Sequence, residues 1–209
     1  MLTVHHLGVS QSDRVVWLCE ELGLTYELRR YDRDAVTRLA PAEYKALHPA
    51  QTAPVIKDEG MVLAETGAIF DWLLAKHDGH GLRPAYGDAD FADYLFWFHF
   101  ANGSFMPRGM MQMITTAMGN GGGGLLGGRS SAAFAMVEQR LGEAPWFAGD
   151  RFTAADIMMA FPLTGMRRFV PHDIGGYPHL LAYLERIGDR PAFRAAAAKA
   201  DPGLPPLLR

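Results

Sequence analysis

The sequence predicts an α+β N-terminal domain with the element order β-α-β-α-β-β-α over residues 1–78, a linker over 79–87, and an all-helical domain over 88–209. Three observations carry this. Two β-rich runs, Gln51-Thr52-Ala53-Pro54-Val55-Ile56 and Met61-Val62-Leu63-Ala64, flank the turn Lys57-Asp58-Glu59-Gly60, and the second opens into the helical spacing Ile69, Phe70, Leu73, Leu74. A strand, a helix and another strand precede them, an order that favours a right-handed parallel β-α-β unit. From Asp78 to Gly87 the chain has linker composition, and beyond it the apolar spacing is helical.

The elements follow in order. Residues 2–7, Leu-Thr-Val-His-His-Leu, read as the first strand, with His5 and His6 pointing to opposite faces. Ser12 or Asp13 can cap a helix over 14–22, which Gly23 ends as a C′ glycine. Residues 25–31 alternate as the second strand, and 41–47 form a short helix that stops at His48-Pro49. After the hairpin, a helix runs to about His77. In the second half, 91–100 is so aromatic that one face cannot hold every ring, so this helix is expected to be buried on several sides or in a subunit interface. A methionine-rich continuation breaks at Pro107, and 119–128 reads as a glycine-rich loop. Further helices are expected at 130–141, 153–170, 177–187 and 191–199. Thr153-Ala154-Ala155-Asp156 is a capping box with Phe152 and Ile157 as its hydrophobic staple, which makes Asp156 a buried structural carboxylate.

Composition excludes several functions. A net charge of −3 with scattered Lys and Arg gives no basic face for nucleic acid. The first residues lack a charged and then apolar signal pattern. The longest uncharged run, 109–128, is too rich in Gly, Asn, Gln and Thr to cross a membrane. Cys19 is the one cysteine and is in helical phase with Val15, Val16 and Leu22, so it reads as core in a reducing, cytoplasmic compartment. The 119–128 stretch lacks the Gly-Lys-Ser/Thr ending of a phosphate loop, and His77 and His80 stand beside no second ligand pair, so no metal is expected.

The residues around the hairpin offer a binding site. Thr66 stands where the N-cap of the following helix belongs, and its free N–H groups suit an anion. Glu65 beside it suits an ammonium group, so one small zwitterion could satisfy both. Pro54 lacks an N–H and fits the start of a strand. Were Ala53–Pro54 cis, Val55 would present an unpaired N–H and C=O to an antiparallel peptide.

Together these residues resemble the cytosolic glutathione S-transferase family over essentially the full length. The motifs are Ser10-Gln11-Ser12-Asp13-Arg14-Val15-Val16, the Thr52-Ala53-Pro54-Val55 turn, Ala64-Glu65-Thr66-Gly67-Ala68-Ile69, and Pro145-Trp146-Phe147-Ala148-Gly149-Asp150 running into the capping box. The type is similar to the serine classes and their bacterial and fungal relatives, because no tyrosine follows the first strand. The resemblance implies a thioredoxin-like first domain that binds glutathione and a helical second domain with a hydrophobic substrate pocket.

In that scheme Ser10 donates to the glutathione sulfur and stabilises its thiolate. Ser12 is the alternative donor, and position within the motif favours Ser10. Val55 pairs with the cysteinyl backbone, Glu65 holds the γ-glutamyl ammonium, and Thr66 with its helix N-terminus holds the carboxylate. Many relatives carry a lysine before the proline turn for the glycyl carboxylate; here Gln51 and Thr52 stand there, and His48 is a substitute. Phe105, Arg108, Met111 and Met113 are candidates for the electrophile pocket, and Arg14 for a structural ion pair. The implied activity is conjugation of glutathione, as co-substrate, to hydrophobic electrophiles in detoxification by a cytoplasmic homodimer with no permanent cofactor. Glutathione-dependent peroxide or disulfide reduction uses the same site. A non-enzymatic carrier or scaffold would not need Ser10, Glu65 and Thr66 together.

Overall fold

The computed structural model describes residues 1–118 and 125–209, without the side chains of residues 80 and 125–130. By contacts the chain divides into two compact units, Met1–Gly81 with Asp189–Pro206, and Leu82–Gly188 with Leu207–Arg209. The architecture is the expected one, a mixed four-stranded sheet with helices followed by a helical part.

In the first unit, β1 (Leu2–Leu7), β2 (Tyr26–Tyr31), β3 (Val55–Asp58) and β4 (Met61–Ala64) lie in the order β2-β1-β3-β4. β1 is buried at every residue and sits between parallel β2 and antiparallel β3. A strand covered on both faces is usually a continuous apolar run; here Leu2, Val4 and Leu7 share the buried strand with Thr3, His5 and His6. The two histidines are also buried: His5 reaches the Tyr31 hydroxyl at 2.8 Å, and His6 turns to the other side. α1 (Asp13–Glu21) connects β1 to β2, and Gly23, at φ +61°, ends it as expected. Cys19 within α1 is fully buried, and burial pushes its thiol up to about 12. It is core and no nucleophile.

α2 (Ala42–Lys45) is short. α9 (Pro191–Ala200), from the C-terminal part of the chain, packs on α1 through Trp17 and Phe193, whose rings meet edge to face at 4.9 Å, and through Arg190 on Glu21 at 2.7 Å. That packing brings the next residue after the helix, Asp201, to the end of β1.

The hairpin departs from the expected boundaries. Residues 51–54 stay out of the ladder, because Gln51 takes φ +54° and Pro54 has no N–H to give. β3 instead runs on to Asp58, and the turn is Glu59-Gly60 with φ +50° and +89°. Two central residues with positive φ make the two-residue turn that matches strand twist. Asp58 closes the hairpin onto α3 (Thr66–Lys76), accepting from Trp72 Nε1 at 3.0 Å and Lys76 Nζ at 2.7 Å. Burial alone would raise this carboxyl, but those two donors outweigh it and hold it below the usual range. A depressed carboxyl stabilises the fold above the unfolded pKa of about 3.9 and loses that contribution as pH falls through its folded value. Thermal melts of the wild type and Asp58→Asn should therefore differ most above about pH 5 and converge in acid.

In the second unit, α4 (Phe91–Phe100) leads through a π-helical turn, Ala101–Phe105, into α5 (Met106–Ala117). Pro107 does not break the chain as the sequence suggested. It lies in the first turn of α5, where its missing N–H is tolerated, and the wider turn before it absorbs the irregularity. α6 (Leu125–Glu143) begins earlier than expected and takes in Gly127 and Gly128; residues 119–124 of the expected loop lie outside the described residues. α7 (Ala154–Leu163) is shorter than expected, because Pro162 removes a helical donor and Thr164 leaves helical angles, giving way to a 3₁₀ turn over Gly165–Arg168. α8 (Pro178–Asp189) follows. Trp97, Phe147 and Tyr183 form the ring cluster between α4, α7 and α8, with Phe147 4.8 Å from Trp97 and 5.1 Å from Tyr183. Among the described residues no helix is long and apolar enough to cross a membrane.

Candidate functional site

The loop after β1 is held in an unusual conformation. Val9 has φ +51°, rare for a β-branched residue. Its N–H donates to both oxygens of the Asp201 carboxylate, at 3.1 and 3.2 Å, which fixes the turn. Burial would raise Asp201, but His6, the Val9 N–H and Arg30 hold it below the usual carboxylate range.

Ser10 follows at once and is buried, as is Ser12. Ser10 Oγ donates to Leu7 O at 2.6 Å and lies 2.7 Å from Ser12 Oγ. Ser12 is at the N-cap position of α1, but its hydroxyl does not cap. It accepts the Leu7 N–H at 3.1 Å and lies 2.8 Å from His6 Nδ1. On the other side of the ring, His6 Nε2 is 3.4 Å from Asp201 Oδ1, off the line of a good hydrogen bond but within electrostatic reach. Two buried serines and a buried imidazole thus form one contiguous row that ends at the partly exposed Asp201 carboxylate. Asp13, at the start of α1, is pushed up to about 6 by burial, and its Oδ1 has no hydrogen-bond partner.

Gln11 and Arg14, neither of them a predicted ligand residue, tie this loop to the other segments. Gln11 Nε2 donates to Ala53 O at 3.0 Å, and its Oε1 accepts from Arg14 Nη2 and from the Thr66 hydroxyl, the latter at 3.3 Å. Arg14 Nη2 also reaches Thr66 Oγ1 at 3.4 Å. Arg14 is 1% exposed, and burial lowers it to about 10 against the opposing influence of Asp13. It remains a cation at neutral pH, fully enclosed beside the start of α3.

At that helix start the residues differ from the expected roles by one position. Glu65, not Thr66, is the N-cap, with φ +70° and ψ 120°, while Thr66 is the first helical residue and buried. A non-glycine residue in so sparsely populated a conformation is the kind of local strain found at ligand clamps. The Glu65 side chain is exposed. Ala53–Pro54 is cis. Val55 lies inside the sheet, opposite His5 on one side and Ala64 on the other. Neighbouring strands therefore flank both of its edges, and its N–H and C=O are not open to a peptide. Ala53 lies outside the strand. Gln51 and Thr52 are exposed, and His48 is half-buried with Nδ1 accepting the Ala50 N–H at 3.1 Å.

Of the second-unit candidates, Phe105 and Arg108 line an apolar cleft with Phe134, Met166, Val170 and His172. His172 stacks on Phe134 at 3.7 Å, and the Arg108 guanidinium lies 5.4 Å from the Phe100 ring. Met111 and Met113 do not line this cleft; they are exposed on α5.

Comparison with known proteins gives a consistent result. Residues 10–76 match the family model described as the glutathione S-transferase N-terminal domain, and residues 126–186 match the one for the C-terminal domain. The chain is 31% identical to glutathione S-transferase 3 of Schizosaccharomyces pombe, covering 96% of this chain and 88% of that one. It is 29% identical to glutathione S-transferase 1 of Saccharomyces cerevisiae, covering 96% and 95%. A crystal structure of a glutathione S-transferase from Actinobacillus pleuropneumoniae superposes with a TM-score of 0.87 at 34% identity, covering 97% of this chain and 95% of that one.

Proposed function

The chain belongs to the glutathione S-transferase family, and from that premise we propose that it binds glutathione on its first unit, ionises the thiol, and transfers the thiolate to a hydrophobic electrophile. One arrangement supports this reading: Gln11 and Arg14 join the Ser10 loop, the Ala53 turn and the start of α3 into a single polar cradle. Ser10 is placed at the sulfur. Glu65 receives the γ-glutamyl ammonium, and the free N–H groups at the start of α3, backed by Thr66 and the buried Arg14 charge, receive the neighbouring carboxylate. Ala53 pairs with the cysteinyl backbone in place of Val55, and Gln51, Thr52 and His48 face the glycyl end.

The cleft at Phe105 and Arg108 is the candidate for the electrophile. Its walls combine aromatic and methionine side chains with Arg108, Gln112 and Arg167, and its free volume of about 20 Å³ requires side chains to move apart before a ring-sized molecule enters. We further assign the protein to the cytoplasm, as a homodimer working in detoxification without a permanent cofactor. The half-exposed Phe96 and neighbouring Leu95 on α4 supply apolar surface for the dimer contact.

Isothermal titration with glutathione and a conjugation assay with an activated aryl chloride test the reading. Micromolar to millimolar binding and enzyme-dependent conjugation are expected. Glu65→Gln should raise the KM for glutathione by about tenfold with a much smaller change in kcat, since a hydrogen bond to a charged group contributes about 1.5–3 kcal/mol. A protein that binds no glutathione would remove the transferase reading altogether.

A further inference from the structure

We propose that His6, backed by Asp201, is the group that takes up the proton when bound glutathione ionises, and that Ser10 and Ser12 carry the proton to it. The inference rests on the placement of Ser10 at the sulfur and adds to it the destination of the proton.

A hydroxyl has one proton and two lone pairs. Ser12 Oγ accepts the Leu7 N–H at 3.1 Å, so one lone pair and one proton remain for its two close neighbours, Ser10 Oγ at 2.7 Å and His6 Nδ1 at 2.8 Å. Ser10 Oγ accepts the Ser12 N–H at 3.3 Å, which leaves one lone pair and one proton, and that proton has two acceptors within reach, Leu7 O at 2.6 Å and Ser12 Oγ. In the free protein the Ser10 proton goes to Leu7 O at 2.6 Å, with Ser12 donating to Ser10 and Nδ1–H to Ser12; a thiol bound at Ser10 competes with Leu7 O, and two directed arrangements then bear on it. In the first, Ser10 donates to Ser12 and Ser12 donates to the bare Nδ1 of a neutral imidazole, so the free lone pair of Ser10 can accept the thiol S–H. In the second, Nδ1–H donates to Ser12 and Ser12 donates to Ser10, so the Ser10 proton is free for a thiolate.

One concerted shift converts the first arrangement into the second. The S–H bond breaks and its proton bonds to Ser10 Oγ; the former Ser10 proton passes to Ser12, and the former Ser12 proton passes to His6 Nδ1. The products are a thiolate, two intact hydroxyls and an imidazolium, with no net change in charge. The shift also turns Ser10 from acceptor of the thiol into donor to the thiolate. The imidazolium's Nε2–H then faces Asp201 Oδ1 at 3.4 Å.

The surroundings of His6 suit this task. The ring is fully buried, so its proton has no direct route to solvent except along the row. The charged groups around it are Asp201 after α9, Asp13 at the start of α1, and Arg30 opposite it on β2. Arg30 is engaged with Asp32 at 3.0 Å and stands 4.0 Å from Asp201, and Arg14 lies against Asp13. Three carboxylates, Asp201, Asp13 and Asp32, stand against two guanidinium groups, so one negative charge remains for an added positive charge to offset. Were the serines and His6 only a brace for the loop, ionisation of the thiol would expel a proton to solvent.

The proton balance decides between the two. Glutathione is titrated into the wild type at about pH 7.5, where a histidine can change state. Thiolate is followed by ultraviolet absorbance, and proton release by calorimetry in two buffers of different ionisation enthalpy. Thiolate formation with well under half a proton released per thiolate is expected. Release of one full proton per thiolate in the wild type overturns the proposal, and this readout needs no variant. His6→Asn keeps an acceptor near Nδ1 for Ser12 but takes no proton. It should raise the pH midpoint of thiolate formation by about one unit and release one proton per thiolate. Asp201→Asn keeps an acceptor for the Val9 N–H while losing the charge, and should change both readings in the same direction. Asp13→Asn, which removes a more distant carboxylate facing the ring, should change both readings in the same direction and by less than Asp201→Asn. If His6→Asn changes neither reading, the relay falls while the Ser10 assignment stands. If Ser10→Ala still forms thiolate, the Ser10 assignment itself falls.

Discussion

Ser10→Ala is expected to lower kcat/KM for conjugation by about 10- to 100-fold and to return the bound thiol's titration close to that of free glutathione. A free thiol has a pKa of about 8.5, and each unit of depression corresponds to about 1.36 kcal/mol. A hydrogen bond to a charged group contributes about 1.5–3 kcal/mol, enough by itself for one to two units. The effect should fall on the ionised species and hardly on binding, because the other recognition groups remain. KM for glutathione should therefore change little while the pH profile of kcat/KM moves to higher pH. Ser10 also donates to Leu7 O at 2.6 Å in the free protein, so the thermal melt of the variant must accompany its kinetics. Ser12→Ala keeps the Ser10 hydroxyl for the sulfur but cuts the path to His6, so its pH midpoint should move about as far as in His6→Asn and less than in Ser10→Ala. A larger loss in Ser12→Ala than in Ser10→Ala would reassign the donor.

Where the sequence carried a local signal, the fold was legible. The strand pattern at 2–7, the glycine at 23 and the alternation at 25–31 fix the β-α-β unit to within a residue or so, because each reports on backbone geometry nearby. Boundaries failed where a local rule competed with tertiary pairing. β3 runs on past its expected end because Lys57 and Asp58 still find partners in Val62 and Met61. Pro107 looked like a helix breaker, yet it is accommodated because the π-helical turn before it places it where no donor is required.

The site was legible by residue type and less so by geometry. Ser10, Glu65 and Thr66 do stand at the start of two helices of one unit, but Thr66 is one position inside its helix and Val55 is enclosed in the sheet. Gln11 stood in the quoted motif without a role of its own, and Arg14 was expected only as a structural ion-pair partner; beside Asp13 it also reaches Gln11 and Thr66, a link that sequence spacing does not show. The His6–Asp201 pair was out of reach for a different reason. Its members lie near opposite ends of the chain, and only the packing of α9 on α1 brings them together.

Asp156→Ala is expected to destabilise the helical unit by about 3–5 kcal/mol, the largest stability loss among the substitutions considered. The carboxylate is fully buried at the start of α7. It accepts the Thr153 N–H at 2.8 Å and hydroxyl at 3.2 Å, closing the capping box, and with its other oxygen accepts the Phe147 N–H at 3.0 Å. A lost cap costs about 0.5–2 kcal/mol. The additional loss arises because alanine leaves two buried N–H groups without a partner, at about 1–3 kcal/mol each. Asp156 thereby does two things at once: it starts α7 and positions Phe147, whose ring packs between Trp97 of α4 and Tyr183 of α8. A domain is stable by only about 5–15 kcal/mol, so the substitution consumes a large share of the margin. Urea unfolding followed by circular dichroism should show the midpoint falling sharply. Asp156→Asn should recover little, because its amide can present only one acceptor to donors on two sides. Variant protein that remains folded should bind glutathione normally, since Asp156 lies in the unit that carries none of the cradle residues. A midpoint within error of the wild type would mean that α7 starts without its cap and that the ring cluster alone positions Phe147.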